Sequence, residues 1–419
     1  PIKSSAASDL YKRQLTSGST IGFTVRSVFD NNSTNNYSVT IVTNQTDALT
    51  DRQRVVAYGT DKNTFTVDLS SLDSVADTEV YMVSLDGAVF TTKNWDSSAR
   101  TLTLDKATLL KYWGECDVTA VFAHEGGDTY DKFITVTIPL TIVTQVISTS
   151  DDFTNWNKIA NSVAGGGIGQ YAGYFELGDD IEYEGVYPTF WTWTEGRDDW
   201  SDADKYGFSG TFDGCGYTVK GLTLESGNNC SIFGVLKAGT VIKNIAFTDY
   251  TGGKNSAGLC ISSKGTIENI YIECIAHDGG SSENQRGSFF GLWRAYPEAK
   301  VRNCLVEVKF SGANDLPYML AIGNVYEGTG SLDGVYVIGM TDNLVNITNT
   351  QSGTQNVYGG YADYAAFVAG DIDCTDWSTD FWAVSDGGIP YPNRLKQEVS
   401  ITNTETTLAT GTQLQLSLI

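Results

Sequence analysis

The chain has 419 residues, 41% hydrophobic and 12% aromatic, with 44 Gly and 7 Pro. That is enough apolar material for sizeable cores and length for roughly two to four domains, which excludes a disordered chain. Lys+Arg of 27 against Asp+Glu of 50 gives a net charge of −23, which repels phosphate backbones and anionic membrane surfaces and argues against nucleic-acid binding.

In chain order, the first residues, PIKSSAASDLYKRQL, lack the apolar core of a signal peptide. A chain beginning at Pro1 is either a processed fragment or a protein that has lost its initiator Met, and the second case suits a virion component. No apolar run approaches the length that crosses a bilayer, so membrane insertion is not expected.

Short alternating segments follow: TIGFTVRS at 20–27, YSVTIVT at 37–43, TFTVDL at 64–69, EVYMVSL at 79–85, DVTAVFA at 117–123 and FITVTIPL at 133–140. Their period of two and polar turns predict an immunoglobulin-like β-sandwich over residues 61–146, although the Cys, Trp, Cys arrangement of antibody domains is missing. Residues 1–60 read as a smaller N-terminal β segment or attachment module. After TIVTQVI at 141–147, Thr149, Ser150 or Asp151 can cap a helix whose Phe153, Trp156, Ile159, Ala160 and Val163 share one stripe. Gly165, Gly166 and Gly167 would end that helix.

Beyond the helix one motif returns four times: IKNIAFTD at 242–249, IENIYIEC at 267–274, VRNCLVEV at 301–308 and LDGVYVIG at 332–339. Its third positions, Asn244, Asn269, Asn303 and Gly334, are separated by 269−244 = 25, 303−269 = 34 and 334−303 = 31 residues. Such steps suit one coil of a parallel β-helix, whose apolar face is buried only when a neighbouring coil stacks on it. A second phase, SIFGVL, SAGLCI, SFFGLW and LAIGNV, places Gly234, Gly258, Gly291 and Gly323 where each coil turns tightly or coils approach closely. Phe153 and Trp156 are expected to plug the exposed first coil.

FSGTFDGCGYTVKGLTL at 208–224, followed by the IFGVL and IKNIAFTD segments, resembles the GLUG-type repeat region of large bacterial surface proteins and phage appendage proteins. YAGYFELGDDIEYEG at 171–185 is similar to the opening strand of such regions, and FWAVSDGGIPYPNRL at 381–395 to their closing segment. The resemblance covers about 147–395 and implies an all-β fold: a right-handed parallel β-helix, or solenoid, with a short capping helix, preceded by the sandwich. Residues 396–419 resemble the opening strands of a further bacterial immunoglobulin-like repeat. Such repeats serve adhesins, cell-wall proteins, phage appendages and some carbohydrate-active enzymes, so they do not fix a function.

Chemistry is sought in the least repeat-like stretch, GVYPTFWTWTEGRDDWSDADKYG at 185–207. Trp191, Trp193 and Trp200 can stack on pyranose faces while Glu195 and Arg197 bond hydroxyls. A satellite core that fastens the insert is the other reading of the same aromatics. Trp293, Arg294 and Tyr296 form a second group that can extend a carbohydrate-facing groove along the axis, or pack against the next coil. The many carboxylates of the loop and of 179–184 do not resolve into a catalytic pair, so no catalytic residue is assigned. DIDCTD at 371–376 and DDWSDAD at 198–204 could ligate calcium but lack the EF-hand spacing; no cofactor or metal is predicted. The seven cysteines carry no CxxC pair and are read mainly as small apolar core residues, with a disulfide between coils left open.

The expected function is a non-enzymatic adhesive or structural protein, directed to glycans or a host-surface receptor. It would sit outside the cell, on a bacterial surface or as a virion fibre or decoration, with self-association or a scaffold as further partners. A polysaccharide-degrading lyase or glycoside hydrolase and a purely structural appendage are the alternatives.

Overall fold

A computed structural model describes residues 20–26, 34–40, 43–58, 62–125, 130–161, 172–188, 207–225, 230–253, 256, 258–277, 287–290, 294–295, 298–309, 319–320, 331–338, 357–358, 374–383 and 390–395. The fold is all-β with one helix, Ser150–Asn161, among the described α-helical residues. A hairpin of Thr20–Arg26 and Thr34–Thr40 stands first.

Two sheets then share one core. The larger runs in the order Thr43–Ala48, Tyr130–Val143, Gly114–Glu125, Glu79–Leu85, Ala88–Val89, and Gln53–Val56 also pairs with Tyr130–Val143. The smaller runs Thr64–Asp68, Thr101–Asp105, Lys93–Asp96. Strand alternation sends Val118, Ala120 and Phe122 inward from one strand and Ile134, Val136, Ile138, Leu140 and Ile142 from its neighbour, to meet Val67, Leu102 and Leu104 of the small sheet. Thr43–Ala48 and Gln53–Val56 run parallel to Tyr130–Val143, and Leu49 and Val55 join the same core. Both strands precede residue 60 in sequence. The TNQTDA strand has no apolar alternation to betray it, and its place is set by pairing with a strand about ninety residues away.

The Tyr130–Val143 strand passes through Thr144 directly into Gln145–Ile147, the first strand of a 12-stranded sheet in which all described pairings are parallel. Its main path continues through Tyr174–Leu177, Thr211–Asp213, Val241–Gly252, Thr266–His277, Lys300–Val308, Ser331–Ile338 and Val357–Tyr358. All four motif copies align: Ile245, Ile270, Cys304 and Val335 are register partners and point inward, as do Phe247, Ile272, Val306 and Val337. Asn244, Asn269, Asn303 and Gly334 all have left-handed backbones, with φ of 56°, 55°, 53° and 60°. Asn and Gly tolerate that conformation best, which is why this slot repeats. The Asn269 amide donates to the Asn244 side-chain oxygen at 2.9 Å, and the Asn244 amide donates to Asp213 at 3.1 Å.

Helix Ser150–Asn161 starts on Thr149, whose hydroxyl accepts from the Asp152 N–H at 3.1 Å and whose carbonyl accepts from Phe153 N–H at 3.0 Å. Phe153 and Trp156 are buried against Phe175, Tyr187, Phe208, Phe212 and Phe233, with ring centroids as close as 4.7 Å. They join the core that lies under strands Tyr174–Leu177 and Thr211–Asp213. The side chains of Ile159 and Ala160, and residues Val163 and Gly165 to Gly167, lie outside the described residues.

The closing segment folds back along the outward side of the same sheet. Ala246, Tyr271, Leu305 and Tyr336 form its outward column, and Trp377, Phe381 and Trp382 bury that column. Trp377 stacks on Tyr336 at 6.0 Å; Trp382 meets Tyr271 at 6.5 Å and its indole N–H donates to Asn269 at 3.3 Å. Arg394 lies 3.7 Å from the Tyr217 ring centroid. The segment thus runs from the fourth motif copy back past the first. A Cβ on Gly334 would sit 3.0 Å from the Trp377 indole nitrogen, so Gly replaces Asn in the copy where this segment needs room.

Candidate functional site

Trp191, Trp193, Glu195, Arg197, Trp200, Trp293 and Tyr296 lie outside the described residues, as does the side chain of Arg294. The DDWSDAD run and residues 371–373 of DIDCTD, named for calcium, lie outside them too. What the structure fixes is the backbone from which both aromatic groups spring.

The 189–206 segment leaves after Val186–Tyr187 and returns at Gly207. Tyr187 is buried, its hydroxyl donating to the Ile232 carbonyl at 3.4 Å. Gly207 has φ +112°, and a Cβ there would lie 2.3 Å from the Val235 carbonyl oxygen, so only glycine admits this return. Phe208 then bridges in parallel to Leu236. Leu236 is the register partner of Ser263, and Ser263 of Ala295, within the lateral sheet Val235–Leu236, Ser262–Ser263, Arg294–Ala295. The return of the first aromatic segment and the strand of Arg294 therefore share one flank, three strand steps or about 14 Å apart. Gly234 and Gly258, with φ of 65° and 61°, turn the chain on this side, while Gly291 and Gly323 lie outside the described residues. Phe289 and Phe290 are buried in the core.

On the main sheet a second, polar column was missed by the sequence reading. Glu176, Asp213, Lys243, Glu268, Arg302 and Asp333 are successive register partners. Asp213 accepts from Tyr174 hydroxyl at 3.2 Å, Cys215 N–H at 2.9 Å and Asn244, and pairs with Lys243 at 3.1 Å. Arg54, from the first β unit, grips the buried Glu176 with its Nε at 2.8 Å, and that bond raises the guanidinium pKa. Arg302 donates to Glu268 at 2.6 Å. The third residue of each quoted copy is Asn or Gly, and the residue before it is Lys243, Glu268, Arg302 or Asp333; the alternating signs in those positions were the available signal.

Glu273 and Glu307 are also register partners. Glu307 accepts from Tyr271 hydroxyl at 2.6 Å and Lys309 at 2.7 Å. Burial raises the Glu273 pKa; Lys309 opposes this, and Glu307 and Asp249 add to it. These carboxylates are held by neighbours of the stack itself. Among the described residues no group of three or more His, Cys, Asp and Glu side chains is arranged to hold a metal, and no helix is long and apolar enough to cross a membrane.

The seven cysteines are thiols outside any disulfide; Cys230, Cys260, Cys274, Cys304 and Cys374 are buried, Cys116 is half-buried and Cys215 exposed. Burial pushes the Cys274 thiol up to about 12 and those of Cys260 and Cys304 higher, which keeps them protonated core groups.

No protein-family model matches this chain, and a comparison with curated proteins finds no match.

Proposed function

We propose that the parallel stack is a right-handed β-helix capped by helix Ser150–Asn161, that the two-sheet unit is an immunoglobulin-like sandwich, and that together they display a glycan-binding flank. The sheet topology supports the sandwich: a six-stranded and a three-stranded sheet close on one core, with Thr43–Ala48 parallel to the last strand, Tyr130–Val143. Parallel partners 25 to 34 residues apart in every motif copy support the helix.

The observation that carries the functional reading is the shared lateral sheet, which joins the return of the Trp191, Trp193 and Trp200 segment to the strand of Arg294. One saccharide chain lying along the axis would meet both groups, with Trp293 and Tyr296 beside Arg294. Aromatic faces and a few hydrogen-bonding side chains suit retention of a sugar polymer without turnover. The protein is read as a surface-exposed adhesive component, on a bacterial cell or a virion. The test is incubation of the full chain, intact and as Trp191→Ala plus Trp193→Ala, with neutral and acidic polysaccharides, recording retention and new chain ends. Retention lost in the double variant without new ends is expected. New ends that disappear on substitution of Glu or Asp would make the protein a polysaccharide-degrading enzyme. No retention would leave a structural appendage.

A further inference from the structure

Units joined by a linker move against each other by default, because few contacts cross such a segment. The two units of this chain are joined differently. From Lys132 to Ile147 the backbone is one run of strand broken only at Thr144, and its partners change along the way without a turn. Thr43–Ala48 pairs with Lys132 to Thr137, Gln53–Val56 with Leu140 to Val143, and Phe175 to Leu177 of the stack with Gln145 to Ile147.

Thr144 stands where the pairing passes from one unit to the other, and it bonds both. On the side of the first unit its carbonyl accepts from the Tyr58 N–H at 3.1 Å. On the side of the stack its N–H donates to the Tyr174 carbonyl at 2.7 Å, and its hydroxyl accepts from the Tyr174 N–H at 3.0 Å. Gly173 permits this approach, since a Cβ there would sit 2.7 Å from the Thr144 Oγ1. A Cβ on Gly114 would lie 3.9 Å from the Tyr174 ring, so a second strand of the first unit also reaches that residue.

Side chains close the same joint. Arg54 donates to one oxygen of Glu176 through Nε, at 2.8 Å, and through Nη2. The Glu176 side chain is 9% exposed and that of Arg54 52%, so the carboxylate is the buried partner. Glu176 and Asp213 are register partners, which sets two carboxylates side by side on adjacent strands, an arrangement that costs stability unless cations offset it. Lys243 stands 3.1 Å from Asp213 within the stack. The cation that balances Glu176 comes from the first unit.

We infer that the Arg54 to Glu176 pair latches the two units in one fixed orientation, and that Thr144 becomes a hinge when the latch is removed. Fixed orientation of two folded units is distinct from unfolding together, since their cores share no residue. The latch sets the direction in which the lateral flank faces from the first unit, and it stands whether or not that flank binds sugar.

The test is amide hydrogen exchange on the full chain, read at the joint amides of Tyr58, Thr144 and Tyr174 and at Val136 and Ile272 in the two β units. In the intact chain the joint amides should be protected. In Glu176→Gln they should exchange about tenfold faster or more, the scale of a charge-assisted hydrogen bond, with Val136 and Ile272 unchanged. Joint amides that exchange in the intact chain as fast as those of an unstructured peptide would overturn the fixed orientation. Equal protection in the intact chain and the folded variant would overturn the latch. If Glu176→Gln speeds Val136 or Ile272 as well, Arg54→Gln replaces it, and unchanged joint exchange there is the overturning result.

Discussion

The first β unit and the parallel stack solve the same problem, burying an apolar face, with different means. In the first, Gly114–Glu125 and Tyr130–Val143 form a long hairpin, and two sheets close on one core. In the second, the four motif strands pair with one another in parallel, and separate elements bury what the pairing leaves open: helix Ser150–Asn161 on the core side, and Trp377, Phe381 and Trp382 on the outward column. Two sheets that face each other cover one another, whereas a single parallel sheet built from repeats needs an element unlike its repeats to bury its faces.

The largest effect should come from removing the end cover. Trp156→Ala deletes the ring at the centre of five aromatic contacts and is expected to cost about 3–5 kcal/mol. Thermal unfolding followed by calorimetry should show the loss in a stack transition while a separate transition of the first unit stays in place. A single transition shifted as a whole would mean that Thr144 and the Arg54 to Glu176 bond fuse the two into one cooperative body.

Next in size is the left-handed column. Asn269→Ala loses the bonds to Asn244 and Trp382 and forces alanine to φ near 55°, an expected cost of about 2–3 kcal/mol. Asn269→Gly loses the same bonds but relieves the backbone and should be milder by about 1 kcal/mol. Equal losses in urea denaturation would show that hydrogen bonding alone fixes this slot.

That column marks how far the sequence could be read. Alternation in the motif copies revealed the inward face, and Thr149, Phe153 and Trp156 revealed the helix and its buried stripe, because period and N-capping are local properties. The repeated Asn was visible, but its cause, a backbone conformation, was not. Gly334 was legible as a departure from the repeat, yet its reason lies in Trp377, more than forty residues later.

The smallest effects concern pH and run in opposite directions. Asp105 is buried; burial would raise its pKa, but bonds from Thr92 N–H at 2.8 Å, Thr108 N–H at 3.2 Å, Thr108 hydroxyl at 3.1 Å and Thr91 hydroxyl at 3.2 Å lower it. A depressed carboxylate stabilises the fold above its unfolded pKa of about 3.9, and this is lost as pH falls through the lower folded value. Glu273 is raised, chiefly by burial, so its protonation favours the folded stack and stability declines as pH rises through its folded pKa. Asp105→Asn should therefore flatten the acid-side loss of the first unit. Glu273→Gln should raise the stack transition by about a degree at pH 7 and leave the first unit unchanged. Melting curves between pH 3 and 7 check both signs.

The central claim is that both aromatic groups serve one glycan along one flank. Calorimetric titration with an oligosaccharide long enough to span about 14 Å tests it most directly. One ligand should bind per chain, with Trp191→Ala and Trp293→Ala each weakening the affinity at unchanged stoichiometry. Two ligands per chain, one of them lost with each substitution, would contradict a single groove.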